Sequence, residues 1–263
     1  MKRFARCSVL AGLSLIFTLS VASVEAEGLT GGGTIEFHGE AATVGVLDPE
    51  EQTPADPGEI AKTEGALRID FAPQLTFETS QITGNELSAS AHAQLFHGGT
   101  AARGNFVQVS DYRDTASGWS LFVRQEQQFQ HETKGEKQLK GATISFDQSW
   151  TNSTQDASLA PKVSKEIIQM NNVGESYPLA EAATNKGMGT WSIAFGASPT
   201  NQHGQASTLE AMVDGNGQPL VDPAYDNQQM YRNTAVNLAI PNTEQLEAGN
   251  YSTVLTWIIA ELP

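Results

Sequence analysis

The chain has 263 residues, 15 Lys and Arg against 30 Asp and Glu, a formal net charge of −15 and a single cysteine. So acidic a chain suits neither nucleic acid, whose phosphates need a basic face, nor adhesion to anionic lipid by charge alone. One thiol cannot form an internal disulfide or a cysteine-based metal site.

Residues 1–26 read as a secretory signal. Lys2, Arg3 and Arg6 form a basic start, and 9–21 is an apolar run too short to hold a membrane span securely. Val24-Glu25-Ala26 puts small residues at the −3 and −1 positions, so cleavage is expected before Glu27; an uncleaved anchor is the alternative. The cysteine, Cys7, precedes the apolar run and is not placed for lipid attachment. The mature domain, 27–263, then has no thiol and must be stable through its own core. Losing three bases and one acid with the signal leaves it more acidic, a charge that keeps a secreted protein soluble.

After a Gly-rich stretch at 27–33 comes a short strand candidate, 34–37. The segment 48–58, Asp-Pro-Glu-Glu-Gln-Thr-Pro-Ala-Asp-Pro-Gly, is acidic and broken by Pro, which keeps it out of a sheet interior. It reads as a long exposed loop. Its carboxylates are numerous enough for calcium, but the Pro spacing matches no ligand pattern, so a solvated loop is the reading.

Alternating strand candidates follow at 66–71, 75–77, 93–96, 106–109, 119–123, 127–130, 142–146, 166–170, 190–195, 208–213, 235–240 and 252–260. Gly, Asn, Asp or Pro clusters separate nearly all of them, and Lys134-Gly135-Glu136 reads as a hairpin tip. No segment carries a helix-length stripe of period 3.6. About a dozen short strands with long loops predict a single all-β domain, a β-sandwich or a β-barrel-like fold.

In the tail, Tyr251, Thr253, Leu255, Trp257 and Ile259 share one face at period two, and Val254, Ile258 and Ala260 share the other. Both faces are largely apolar, which predicts a strand buried on both sides. Its counterpart is Gly118-Trp119-Ser120-Leu121-Phe122-Val123. Two tryptophan strands so far apart in sequence predict a core closed by pairing distant segments. Burying an indole removes roughly 150–250 Å² from water, worth about 4–6 kcal/mol as an upper bound. That rivals a domain's net stability of about 5–15 kcal/mol. A structural role for Trp119 and Trp257 is therefore favoured over direct ligand contact. Trp150 lies in Asp147-Gln-Ser-Trp-Thr-Asn-Ser-Thr-Gln-Asp156, polar on both sides. It is the candidate for contact with a sugar ring; the alternative is a tryptophan covering the rim of the core.

The paired motifs resemble those of the WxL-domain family, cell-surface proteins of low-GC Gram-positive bacteria. Trp119-Ser120-Leu121 matches the first motif, and Val109-Ser110-Asp111-Tyr112-Arg113 is similar to the family's approach to it. Tyr251, Leu255, Thr256, Trp257 and Pro263 match the distal motif. Ile259 stands where Leu is usual, a volume-conserving swap. The 236–241 strand, the Asp48-Pro49 loop and the 65–70 strand are also similar, so the likeness spans the mature chain. A lone Trp-x-Leu is uninformative; the two in order behind a signal segment are specific. The resemblance implies a small, single-domain member that binds the cell wall non-covalently, with peptidoglycan as ligand. It implies companions too: other surface proteins, including a wall- and membrane-anchored partner. The expected location is the extracellular wall surface, without membrane insertion.

The residues offer little for catalysis. His38, His92, His97, His131 and His203 are scattered singly, and His131-Glu132 lacks the second His of a zinc helix. There is no Gly-x-Ser-x-Gly elbow. The segment 214–222 starts like a calcium loop, but Pro219 and Tyr225 fall where later ligands belong, so it reads as a turn. No carboxylate pair stands out for glycan hydrolysis. The reading is a binding protein with no enzyme activity and no cofactor. A subunit whose main ligand is another surface protein is the alternative, and a glycan hydrolase is third.

Overall fold

The computed structural model describes residues 45–82, 85–241 and 246–262. The secretory segment 1–26, the stretch 27–33, the strand expected at 34–37 and Pro263 lie outside them. In chain order the strands begin with β1 (Leu67–Phe71), β2 (Leu87–His92), β3 (Asn105–Asp111), β4 (Trp119–Gln125), β5 (Gln130–His131) and β6 (Lys134–Gln138). Next come β7 (Thr143–Phe146), β8 (Ser149–Asn152), β9 (Lys162–Val163), β10 (Ile168–Gln169), β11 (Ser176–Ala182) and β12 (Gly189–Phe195). The last are β13 (Leu209–Ala211), β14 (Val221–Asp222), β15 (Gln228–Gln229), β16 (Tyr231–Ile240), β17 (Tyr251–Ser252) and β18 (Leu255–Glu261). The helical content of the described residues is two single 3-10 turns, Ala157–Leu159 and Pro223–Tyr225.

Three antiparallel sheets form the body. The central one has the order β1-β3-β12-β8. The second is built on β16, which pairs with β2 on one side and with β7 and β13 on the other; β10 lies outside β7. The third has the order β18-β4-β11-β9. Two ribbons, β14-β15 and β17-β5-β6, complete the fold. None of the sheets closes on itself, so the all-β domain is one of packed sheets and not a barrel.

All three sheets feed one core. Val107, Val109, Trp191, Ile193 and Phe195 come from the central sheet, Ile144, Phe146, Val236 and Leu238 from the second, and Trp119, Leu121 and Val123 from the third. Each such side chain contributes about 1.5–3 kcal/mol on burial. The central sheet is buried on both faces. Its other face carries Phe71, Phe106, Ala194 and Trp150, which form a second cluster with Val46 and Phe96. That is why β3 and β12 are buried along their whole lengths.

The start of the acidic loop helps cover this second face, so the expectation of a solvated loop fails there, while Glu51, Thr53, Pro54 and Asp56 are exposed as expected. Asp48 and Glu50 are buried. Asp48 accepts charge-assisted bonds from Nε and Nη2 of Arg103, at 2.8 to 3.0 Å, and also caps the Glu50 backbone N–H. Glu50 takes the other arm of Arg103 at 3.0 Å and accepts from the Ser198 backbone and hydroxyl. Two of the loop's four carboxylates, Asp48 and Glu50, are thus spent on a buried guanidinium. Among the described residues, no group of three or more His, Cys, Asp or Glu is placed to hold a metal ion. Leu47 and Pro54 bridge across the loop, while Val46 and Ala55 pack on the cluster beneath it.

Other departures have local causes. The strand expected at 93–96 lies earlier, at Leu87–His92, where alternating Ser and Ala put Ala89 and Ala91 inward with little apolar bulk to signal it. The candidate at 75–77 is reduced to the bridge Phe77–Ala91. The one at 127–130 contributes only Gln130 to a strand. Lys134 to Glu136 belong to β6; the hairpin tip is Glu132-Thr133. Strand β11 escapes a pattern reading because Pro178 interrupts it, and its register on β4 slips between Pro178 and Ala180. The tail is two strands broken at Thr253-Val254, and β18 is a half-buried edge strand, not one buried on both sides.

Removing one member of a buried ion cluster strands the other charges without water. Arg103→Ala is expected to lower the unfolding free energy in urea by about 3–5 kcal/mol. Arg232→Ala, which breaks an exposed pair with Glu210, should change it by less than about 1 kcal/mol.

Candidate functional site

The residues expected to matter most meet in the third sheet. Strand β4 lies between β18 and β11, with Leu121 opposite Ile259, Val123 opposite Trp257 and Trp119 opposite Glu261. Trp119 is fully buried, and its indole N–H donates to the Gly187 carbonyl at 3.1 Å. Gly187 has φ +73°, and a Cβ there would lie 2.6 Å from the indole nitrogen and against Ala182. Only glycine lets the turn come this close. Leu121 is fully buried beside Trp119. Leu255, Trp257 and Ile259 are half-buried and pack on the same core from the edge strand, Trp257 meeting Phe146 edge-on at 6.1 Å. The Tyr251 hydroxyl donates to the Glu247 carbonyl at 3.0 Å, and its ring meets His131 at 5.0 Å.

The run ahead of Trp119 acts on the same joint. Fully buried Asp111 holds the Arg113 guanidinium at 2.8 Å. Arg113 in turn donates to the Gly118 carbonyl at 2.9 Å and pairs with Glu261 at 2.6 Å. Donating to the Asp111 carboxylate raises the guanidinium's pKa. One cation therefore ties the start of β4 to the end of β18. Trp119 has no surface left for a ligand.

Trp150 is buried rather than presented at the surface, against the expectation drawn from its polar neighbours. It is 3 % exposed and packs in the second cluster with Phe71 and Phe106. Its indole N–H donates to the Gly196 carbonyl at 2.9 Å, and His203 covers the ring at 5.5 Å. Its sequence neighbours are polar because β8 is an edge strand. Its apolar partners come from elsewhere in the chain.

The two motifs line neither of two clefts. A cleft of about 220 Å³ is lined by His92, Asn105, Asp222, Tyr225 and Tyr231, among others, and Tyr231 also lines a second of about 260 Å³. Asn105 is fixed in the floor: it donates to the His92 carbonyl at 3.1 Å and accepts from Asn233 at 2.8 Å. Tyr225 is fixed in the wall by a bond to the Pro57 carbonyl at 2.9 Å and by stacking on His97 at 4.7 Å. Burial holds the His92 imidazole below its ordinary pKa, opposed by Glu78 and Asp222. No pattern reading points to these residues, because loops and strand ends from remote segments bring them together.

The chain matches the family model described as a WxL domain, surface cell wall-binding, over residues 24–263. The chain belongs to the WxL family. Comparison with curated proteins and with solved structures found no match. As a WxL protein it is a cell-surface, cell wall-associated binding domain. In this WxL domain the first motif is a core element, and the second is the edge strand that closes that core. Among the described residues no helix is long and apolar enough to cross a membrane.

Two outcomes follow for stability. Trp150→Ala is expected to cost about 3–5 kcal/mol in urea unfolding, as for a core tryptophan; an unchanged midpoint would put the ring at the surface. His92 gives a pH effect of defined sign. The unfolded imidazole titrates near about 6.5 and the folded one lower, so the unfolded state takes up the proton first as pH falls. Stability from this group is full above about pH 6.5 and is lost as pH falls through the folded pKa. Between about pH 7.5 and about pH 5.5, the wild type should therefore lose more stability than His92→Gln.

Proposed function

We propose that this WxL protein is secreted, its signal removed before Glu27, and is held non-covalently on peptidoglycan at the outer surface of a Gram-positive cell. It works there in a complex with other surface proteins, including a wall- and membrane-anchored partner. The observation that carries the reading is the match to a wall-binding family from 24 to 263, which takes in both tryptophan motifs. The protein acts as a binder and not as a hydrolase. Because the chain is strongly acidic, attraction to an anionic wall polymer is a poor source of affinity; neutral parts of the wall are better ligands.

One observation favours a second ligand, a companion protein. On the face of the third sheet away from the core, Ile258, Phe122 and Pro178 lie in cross-strand register, with Val254 exposed beyond them. An apolar row of this kind is what a protein partner covers.

Sedimentation with purified sacculi, stripped of protein, separates these readings. The mature protein is expected to cosediment with bare sacculi, equally with and without chelator, and to release no soluble sugar fragments. Sedimentation only when a companion surface protein is added back would make it a subunit and not a wall binder. Released fragments would make it a hydrolase.

A further inference from the structure

Resting on the peptidoglycan reading above, we propose that the two clefts joined at Tyr231 form one groove that binds the neutral glycan strand of the wall. Three features of the groove specify this ligand. First, its lining contains no Lys or Arg. A phosphate or carboxylate ligand would meet Glu59 and Asp222 and no cation, so anionic polymers and acidic peptides are disfavoured.

Second, the groove offers neutral hydrogen-bonding groups and carboxylate acceptors, which suits a polyol whose hydroxyls both donate and accept. The carboxylates of Glu59 and Asp222 lie in the first cleft. In the second, the side-chain amide of Gln228 donates to the Phe96 carbonyl, and that of Gln229 to the Met212 and Met230 carbonyls. That leaves their side-chain oxygens to accept from a ligand. Neither ring nitrogen of His92 and no hydroxyl bond of Tyr231 finds a partner among the described residues, so both side chains remain available to sugar hydroxyl or acetamido groups. Tyr225 and Tyr231 supply aromatic surface for the C–H face of a pyranose.

Third, the geometry suits a chain. Each cleft alone is smaller than the roughly 300–1,000 Å³ of a pocket that engulfs a small molecule. Two clefts sharing one aromatic wall accommodate consecutive units of a linear polymer. The walls are also set in advance, by the bonds of Asn105 and Tyr225 already described, so little ordering opposes binding.

The test fills the groove from its exposed rim, so that the core is left alone. Thr76 lines the first cleft and Ala101 the second, and both side chains are exposed. The mature wild type, Thr76→Trp and Ala101→Trp are compared by sedimentation on sacculi freed of protein and anionic polymer, with a soluble chitin oligomer as competitor. Each variant is expected to bind roughly tenfold or more weakly, with a melting temperature within about 2 °C of the wild type. The oligomer should displace the wild type. If the variants bind like a wild type that does bind, the groove is the wrong site although wall binding stands. If the variants lose binding but the oligomer does not compete, the ligand is the stem peptide and the glycan assignment falls. If the wild type ignores sacculi, the peptidoglycan reading fails and takes this proposal with it.

Discussion

Strand β4 has a neighbour on each side only because the end of the chain returns to it. Without β18, the inner face of the third sheet would end at Trp119, Leu121 and Val123, three side chains that are fully buried when the strand is paired. Their exposure would forfeit several kcal/mol of burial in a domain whose margin is about 5–15 kcal/mol. The return is anchored at one end by Arg113, which spans Asp111, Gly118 and Glu261, and at the other by Tyr251 against His131 and Glu247. Pairings of this sequence separation close a long loop before they gain any contact, an entropic cost that the buried contacts have to offset. The domain is thereby held without a disulfide.

The same economy operates at the opposite face of the central sheet. A sheet with apolar residues on both faces needs two covers, and the second cover is not another sheet but the loop at 48–58. A loop that dense in carboxylates should be expelled into water. Its start stays because Arg103 neutralises Asp48 and Glu50 together and because Ser198, just past the end of β12, donates its N–H and hydroxyl to Glu50. Buried ion clusters seldom add net stability over apolar packing. What this one does is fix where the loop sits, and with it the depth at which Trp150, Phe71 and Phe106 are covered.

How much of this was legible beforehand depended on whether the signal was local. Strands β1, β3, β4, β12 and β16 alternate strongly and fall close to where the pattern puts them, because their large side chains face a common core. Strand β2 hid behind Ser-Ala repeats and β11 behind Pro178. The long tail read as doubly buried because its composition is apolar on both faces, whereas an edge strand can carry an outward row such as Ile258 beside Phe122. Trp150 and the start of the acidic loop were misread for one reason. Each is polar in its own neighbourhood and is buried only by partners about 50 or more residues away, such as Arg103 for Asp48. The residues of the cleft carry even less local signal, since β2, the 223–225 turn and the start of β16 supply one wall element apiece.

This bears on what a family signature can say. Motif residues that recur because they close a core identify the fold with high specificity and the ligand not at all. Trp119 illustrates the limit: its ring, its N–H and the glycine beneath it are all committed to packing. Substituting it would remove binding by removing the domain, whatever the ligand, so a loss of binding there locates nothing. Ligand chemistry has to be sought where side chains are rigidly placed yet keep unused polar groups. Among the described residues, the cleft sets Tyr231 and His92, whose polar groups make no bond, beside the fixed Asn105 and Tyr225, on a surface that the motif residues do not line.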